Sequence, residues 1–350
     1  MTVIVRGLEV RGFRGLREAR IEGFTTLNIF VGRNNSGKSS VLEAIFVALD
    51  PGEGLEYVIR RRGWFGLGSV EAIFYSGLKE KSVRLVAELS DGTKQIVTIK
   101  PDMPYVEDLG ALQAHGLNVD ELYALYVEAS GKVVRKLRLY VDGTGRTHGI
   151  ILQHVSAPIH RVFFIDWNRV YTHGTPEAVY SDAIKVGGES AKRFIVEAIR
   201  KRYGEVEDIL PLHSFNRWVL YLVFREGSTP YYVVGDGVRY ALMYLMLISV
   251  YTDAVGLLEE PELHTHPGLM EVVASAIVRS CIERGNQIFL STHSIELLKY
   301  ILQEAMKQGL KDDQLRVYRL SLENGVLTSE TYTLSEAYEA VEELGWDLRR

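Results

Sequence analysis

The octet Gly32-Arg33-Asn34-Asn35-Ser36-Gly37-Lys38-Ser39 is the strongest chemical signal in this 350-residue sequence. It fits the phosphate-binding pattern G-x-x-x-x-G-K-[ST]. Its glycines let successive backbone N–H groups converge on phosphate oxygens at the positive end of a helix. Lys38 adds a point charge for the β- and γ-phosphates, the Ser39 hydroxyl can ligate Mg²⁺, and Ser40 lies beside them. The context agrees, because the octet follows an apolar stretch at 27–31 and opens a helix at 39–49 that gathers Val41, Leu42, Ile45, Ala48 and Leu49 on one face. A chance glycine turn would not combine that spacing with those flanks.

Three other clusters could complete such a site. Glu259-Glu260-Pro261-Glu262 follows the apolar run 255–258, and neighbouring side chains on a strand point to opposite sides. Glu259 can therefore face the Mg²⁺ water shell while Glu260 turns toward an attacking water as general base. A solvated acidic turn is the plain alternative. Ser291-Thr292-His293-Ser294 follows the strand at 288–290, which sets His293 at a carboxyl end, where doubly wound sheets gather ligands. There it can bond the γ-phosphate or the attacking water. Gly235-Asp236-Gly237 opens a further apolar helix whose N-terminus could present N–H groups to phosphate. Equally, Asp236 could cap its own helix.

The elements that must position these residues alternate in type. Short strands near 3–10 and 27–31 and the helix at 39–49 are followed by strands at 83–89, 95–99, 123–128 and 133–141 around turn signals, an antiparallel insertion spanning 57–157. A strand at 161–165 precedes helices at 176–186 and 189–203 and a hairpin of 217–224 with 231–234, so that 175–237 forms a helical lobe. Helices at 238–251, 269–284 and 295–307 then alternate with strands at 255–258 and 287–290, the pattern of a parallel sheet. Residues 315–350 offer a hairpin, strands 315–320 and 326–332, and a helix from Ser335 to a stop at Gly345.

Composition narrows the class. With 47% hydrophobic and 24% charged residues the chain is ordinary globular protein, and its net charge of −5 excludes binding nucleic acid by bulk charge alone. The single cysteine, Cys281, excludes a disulfide scaffold and a cysteine zinc site. No apolar run reaches the roughly 20 residues of a bilayer span, and the first thirty residues are too evenly charged for a signal peptide. The expectation is a soluble cytoplasmic protein with no membrane contact.

Taken together, the sequence resembles an ABC-type ATPase head of the SMC-like and OLD-like group over nearly its whole length, read as a single domain, 1–350. Phe13-Arg14-Gly15-Leu16 resembles the group's opening strand, Gly32 to Ser39 its Walker A, Gly235-Asp236-Gly237 its signature, Glu259-Glu260-Pro261-Glu262 its Walker B and Thr292-His293-Ser294 its switch. More than two hundred residues separate Lys38 from Glu259, far more than a compact RecA-like core needs. The resemblance implies an α/β P-loop fold with a mixed sheet, the antiparallel β insertion and a helical signature lobe. It implies ATP and Mg²⁺ as cofactors, and a homodimer in which each signature closes over ATP held by the other copy. Glu260, His293 and Lys38 are then catalytic, residues 32–40 and 235–237 bind nucleotide, and Ser39 and Glu259 hold the metal.

The sequence departs from the group in several places. Gly235 replaces the signature serine and Asp236 a glycine, which alters the contact in trans and argues against a transporter. Glu259 stands where aspartate is more common. No convincing glutamine loop appears, Gln153 being a weak candidate, and no Toprim nuclease centre is evident. His264-Thr265-His266 could suggest a metal pair beside Glu262, and Arg60-Arg61-Arg62 beside Trp64 and Phe65 a contact to nucleic acid or partner acids, although a proline-bounded turn and a solvated basic corner explain them as well. Asp312-Asp313 reads as a loop, and Glu336, Glu339, Glu342 and Glu343 as a wet helix face. The expected function is an Mg²⁺-dependent ATPase whose dimer switches conformation in DNA repair or antiviral defence, alongside a separate nuclease or other protein partner and with DNA as a further candidate. An ATP-gated scaffold with negligible turnover is the alternative.

Overall fold

The computed structural model describes residues 4–61, 70–76, 81–102, 119–129, 132–142, 147–151, 161–172, 174–201, 203–214, 216–263 and 266–349. In chain order it contains β1 (Val5–Phe13), β2 (Leu16–Glu22), β3 (Leu27–Val31), α1 (Lys38–Leu49), α2 (Glu53–Arg60), β4 (Val83–Leu89), β5 (Lys94–Asp102), β6 (Val119–Ala129), β7 (Lys132–Asp142), β8 (Thr147–Ile151) and β9 (Val162–Ile165). There follow α3 (Trp167–Thr172), α4 (Pro176–Arg200), β10 (Val206–Ser214), β11 (Arg217–Phe224), β12 (Gly227–Pro230), α5 (Asp236–Ser249), β13 (Val255–Glu259), α6 (Pro267–Glu283), β14 (Gln287–Ser291), α7 (Ile295–Lys307), β15 (Leu315–Glu323), β16 (Val326–Thr333) and α8 (Leu334–Tyr338).

The four strands that lead into the candidate site are apolar on both faces because both faces are covered. In β3, Leu27, Ile29 and Val31 face one core and Phe30 the other; in β14, Ile288 and Leu290 oppose Phe289; in β9, Phe163 and Ile165 oppose Phe164. One core packs α5, α6 and α7 against the sheet, and the other packs α1. Each fully buried side chain of this size contributes roughly 1.5–3 kcal/mol by leaving water.

Thirteen strands form one mixed sheet in the order β8-β7-β6-β5-β4-β1-β2-β16-β15-β3-β14-β13-β9, and β10-β11-β12 form a second. The run β3-β14-β13-β9 is parallel, so the carboxyl ends of four buried strands open on one side. Strands β4 to β8 continue the same sheet beyond β1 by antiparallel pairing. The β15–β16 hairpin lies in the middle of the sheet, β15 parallel to β3 and β16 beside β2.

Several elements differ from the sequence expectation. Strands β2, β8 and β10 were not foreseen, and the partner of β11 is β10 on one side and Gly227–Pro230 on the other. Tyr231–Val233, expected as a strand, forms a 3₁₀ turn. Its β propensity yields to tertiary context: Pro230 ends the strand and the Tyr231 hydroxyl donates to the Arg239 carbonyl at 2.9 Å, steering the chain into α5. The two helices foreseen around residue 187 are arms of α4, kinked at Gly188 (φ 56°, ψ −144°). After α8 the chain widens into a π-helical turn at Glu339–Glu343 and stops before Gly345. Among the described residues, no helix is long and apolar enough to cross a membrane.

Candidate functional site

The loop from β3 to α1 can close only on glycine at two positions. A Cβ on Gly32 (φ 143°) would meet the Leu320 carbonyl oxygen at 2.5 Å and Ser36 Oγ at 2.7 Å, and Gly37 is left-handed at φ 91°. The N-terminus of α1 carries no side-chain cap and no acidic residue in its first turn, which leaves its N–H groups for an anion. Lys38 is folded back over this loop. Its buried ammonium donates to the Gly32 and Arg33 carbonyls, both at 2.9 Å, and to Ser36 Oγ at 3.3 Å. Burial brings its pKa down from the ordinary 10.5 to about 8, against the opposing pull of Glu260 and Glu262.

A cavity of about 600 Å³ lies over the loop, lined by residues 34–40, Glu260 and His293, with Gly15 and Leu322 at its edge. Thus the carboxyl ends of β3, β13 and β14 deliver three of the four expected clusters to one place. Glu260 takes a left-handed backbone (φ 46°), a strained state for this residue that sharply redirects the chain after β13. Its Oε1 lies 3.3 Å from His293 Nε2. His293 titrates below its ordinary value, through burial first and then the positive charge of Lys38, with Glu260 opposing and Arg349 adding to the fall. At neutral pH the imidazole is therefore uncharged, and it can share a proton with Glu260.

Glu262 holds the loop that carries His293. Its Oε1 accepts from His293 N at 2.7 Å, Ser294 N at 3.2 Å and Thr292 Oγ1 at 2.8 Å. Burial raises its pKa while these hydrogen bonds lower it, and burial wins. From the other side, Arg349 Nη1 donates to the His293 carbonyl at 2.7 Å. Sequence reasoning missed this clamp, which joins residues some thirty and fifty positions apart.

A second cavity of about 360 Å³ adjoins the first, with Ser39, Glu259, Glu260, Arg61 and Asp166 among its lining residues. Its oxygen donors suit Mg²⁺, which takes one or two carboxylates and completes its shell with phosphate oxygens and water. Among the described residues there is no group of three or more His, Cys, Asp or Glu that could hold a metal ion. Glu259 and Ser39 fit that role by position.

Asp166 was missed, although it obeys the rule that found Glu259 and His293: a polar residue closing a buried strand, here β9. Its Oδ1 accepts from the Tyr57 hydroxyl and from Arg169 N, each at 2.8 Å. For Arg61 alone, the structure corrects the reading of Arg60-Arg61-Arg62 as a solvated corner or a contact to nucleic acid or partner acids. Its side chain is only 5% exposed, and it pairs with Glu43, Asp166 and Glu259. Arg62, Trp64 and Phe65 lie outside the described residues, as do Gln153, His264 and Thr265. His266, the remaining member of the proposed metal pair, caps α6 by accepting from Gly268 N at 3.3 Å.

Gly235-Asp236-Gly237, at the N-terminus of α5, does not line the phosphate cavity, and Asp236 lines a different cavity of about 410 Å³. Asp236 does not cap the helix. It is the first helical residue, its carboxylate is 83% exposed, and it pairs along the helix with Arg239. A Cβ on Gly235 would touch nothing within 4 Å, so the approach to this helix end is open.

Comparison with known proteins supports the fold. Residues 4–95 match the family described as "AAA ATPase domain", and residues 195–299 match "AAA domain, putative AbiEii toxin, Type IV TA system". Uncharacterized protein MJECL11 of Methanocaldococcus jannaschii is 31% identical over 33% of this chain and 99% of its own length. MJECL10 of the same organism is 26% identical over 63% of this chain and 95% of its own. Among solved structures, an SMC head bound to the C-winged helix domain of ScpA superposes with a TM-score of 0.56 at 14% identity, over 95% of this chain and 99% of that one.

Proposed function

This chain belongs to the AAA-type P-loop ATPases built on the SMC-like, ABC-type head fold, and on that footing we propose that it is a nucleotide-driven switch in which Glu260 hydrolyses ATP and two copies pair. In this reading the N–H groups of residues 37–39 receive the phosphates, and the Lys38 ammonium leaves the Gly32 and Arg33 carbonyls for the β- and γ-oxygens. Mg²⁺, when bound at Ser39 and Glu259, supplies charge neutralisation to the phosphate oxygens. Glu260 orients the water in line with the γ-phosphorus and accepts its proton. His293, neutral and paired with Glu260, shares that proton or bonds the γ-phosphate. ADP and phosphate leave.

The observation that carries this reading is that Glu260 and His293 stand 3.3 Å apart over the same cavity as Lys38 and Ser39. The test is Glu260→Gln, which keeps shape but cannot take the proton. ATP binding should persist while turnover is lost, and full turnover in that variant would move the base to another residue.

Pairing is supported by the uncapped, sterically open N-terminus of α5, which does not line its own phosphate cavity and is available to a second copy. DNA repair or antiviral defence beside a separate nuclease is the setting this reading favours; the match over 195–299 to a family described as a putative toxin of a toxin–antitoxin system bears on the defence arm alone. Capture of partners on the ATP-loaded Glu260→Gln protein tests that setting, and recovery of neither nuclease nor DNA would count against it.

A further inference from the structure

We propose that Arg61 is the chain's own stand-in for the divalent cation, holding Glu259 while no metal is bound and giving that carboxylate up when Mg²⁺ arrives with ATP. This rests on the reading that Glu259 takes the metal. The guanidinium joins three carboxylates from three separate elements. Nη1 meets Glu43 Oε1 of α1 at 3.0 Å, Nε lies 3.2 Å from Asp166 Oδ2 at the end of β9, and Nη2 pairs with Glu259 Oε2 at the end of β13. Glu43 is also paired with Arg14 Nε at 2.8 Å. Two cations thus face three carboxylates, all largely shielded from water. In such surroundings an unpaired carboxylate is costly, so Glu259 without a metal requires a cation. Arg61 is that cation.

The same surroundings oppose keeping both. A doubly charged ion on Glu259 and a guanidinium on the same carboxylate would repel at close range with little water to screen them. Arg61 has somewhere to go. It borders the 360 Å³ cavity that Ser39 and Glu260 also line, and its Cζ rests 4.8 Å from the centroid of the Phe164 ring. Glu43, Asp166 and that ring can keep the side chain while Glu259 is released. Arg61 is therefore a positioning residue, and binding of the metal is an exchange rather than a simple addition.

The sign of one measurement separates this from a scaffolding role. Full-length protein saturated with a non-hydrolysable ATP analogue is titrated with Mn²⁺, a paramagnetic substitute for Mg²⁺, and free Mn²⁺ is read by electron paramagnetic resonance. Arg61→Gln should bind Mn²⁺ about three- to tenfold more tightly than wild type, because a competitor is gone. If Arg61→Gln fails to fold by circular dichroism, Arg61→Lys serves instead. Its single ammonium keeps the charge but cannot span three carboxylates, and it should bind Mn²⁺ more tightly than wild type by a smaller factor. Glu259→Gln should weaken Mn²⁺ binding. Equal or weaker Mn²⁺ binding in the foldable Arg61 variant, with Glu259→Gln still weakened, overturns the exchange and leaves Glu259 as the metal's residue. An unaltered Glu259→Gln overturns both.

Discussion

Lys38 makes nucleotide affinity depend on pH in a way that can be worked out beforehand. In the free protein its pKa is lowered from 10.5 to about 8, burial outweighing the attraction of Glu260 and Glu262. Bound phosphates add negative charge beside the ammonium and raise that pKa again. Binding above pH 8 must therefore take up a proton. The affinity should be level below about pH 7 and fall toward a tenfold loss per pH unit above the free-protein value, so that at pH 9 it is about tenfold weaker than on the plateau. The nucleotide's own phosphate is already fully ionised there and contributes no slope. Isothermal titration of ATP from pH 6.5 to 9.5 in several buffers of different ionisation enthalpy reads both the affinity and the proton uptake. Lys38→Ala provides the control. It should lose roughly 1.5–3 kcal/mol of binding, ten- to more than a hundredfold, and the slope with it. A wild-type affinity that stays flat to pH 9.5, or an equal slope in Lys38→Ala, would refute the assignment of this titration to Lys38.

Other variants probe separate parts of the site. Gly237→Val places a side chain where the pairing model needs backbone close to phosphate, so sedimentation should show ATP-dependent dimerisation of the Glu260→Gln protein lost while each monomer still binds ATP. Glu262→Ala strips the acceptor from the His293 and Ser294 N–H groups, which should cost about 1–3 kcal/mol of stability and lower kcat with ATP affinity retained; unchanged kcat would remove Glu262 from the positioning of His293. Gly256→Ala puts a Cβ 2.5 Å from both Ile288 Cδ1 and Phe163 Cζ in the middle of the parallel strands. Overpacking there should cost roughly 1–3 kcal/mol, read as a lowered Tm.

What could be read from the sequence was local. The phosphate loop, the strand before it and the helix after it are encoded between Leu27 and Leu49, and the runs 255–258 and 287–290 declare themselves as strands buried on both faces, each ending in a polar cluster. That was enough to anticipate an α/β P-loop fold of ABC type. The pieces that escaped depend on distant partners. Nothing near Leu315 reveals that β15 will pair with Leu27 to Val31, and β2 hides among charges because its outer face is wet. Arg61 looked like surface because charge runs usually are; only the convergence of Glu43, Asp166 and Glu259 makes it interior. Asp166 closes β9 as Glu259 closes β13, but its strand is only four residues long and a single aspartate makes no cluster.

The central position of the β15–β16 hairpin sets an order of events during synthesis. Leu320 lies against Gly32, Leu322 borders the phosphate cavity, and Leu327 stands 2.9 Å from where a Cβ on Gly37 would be. The phosphate loop leaves the ribosome early, yet the wall it leans on is translated some three hundred residues later. A nascent chain carrying every residue of the octet therefore lacks a formed nucleotide pocket until β15 slots in beside β3. Acquisition of ATP becomes a late checkpoint, passed only by molecules whose sheet has closed, and ATP added to a refolding mixture will hold the docked hairpin in place without speeding its docking or the collapse that precedes it.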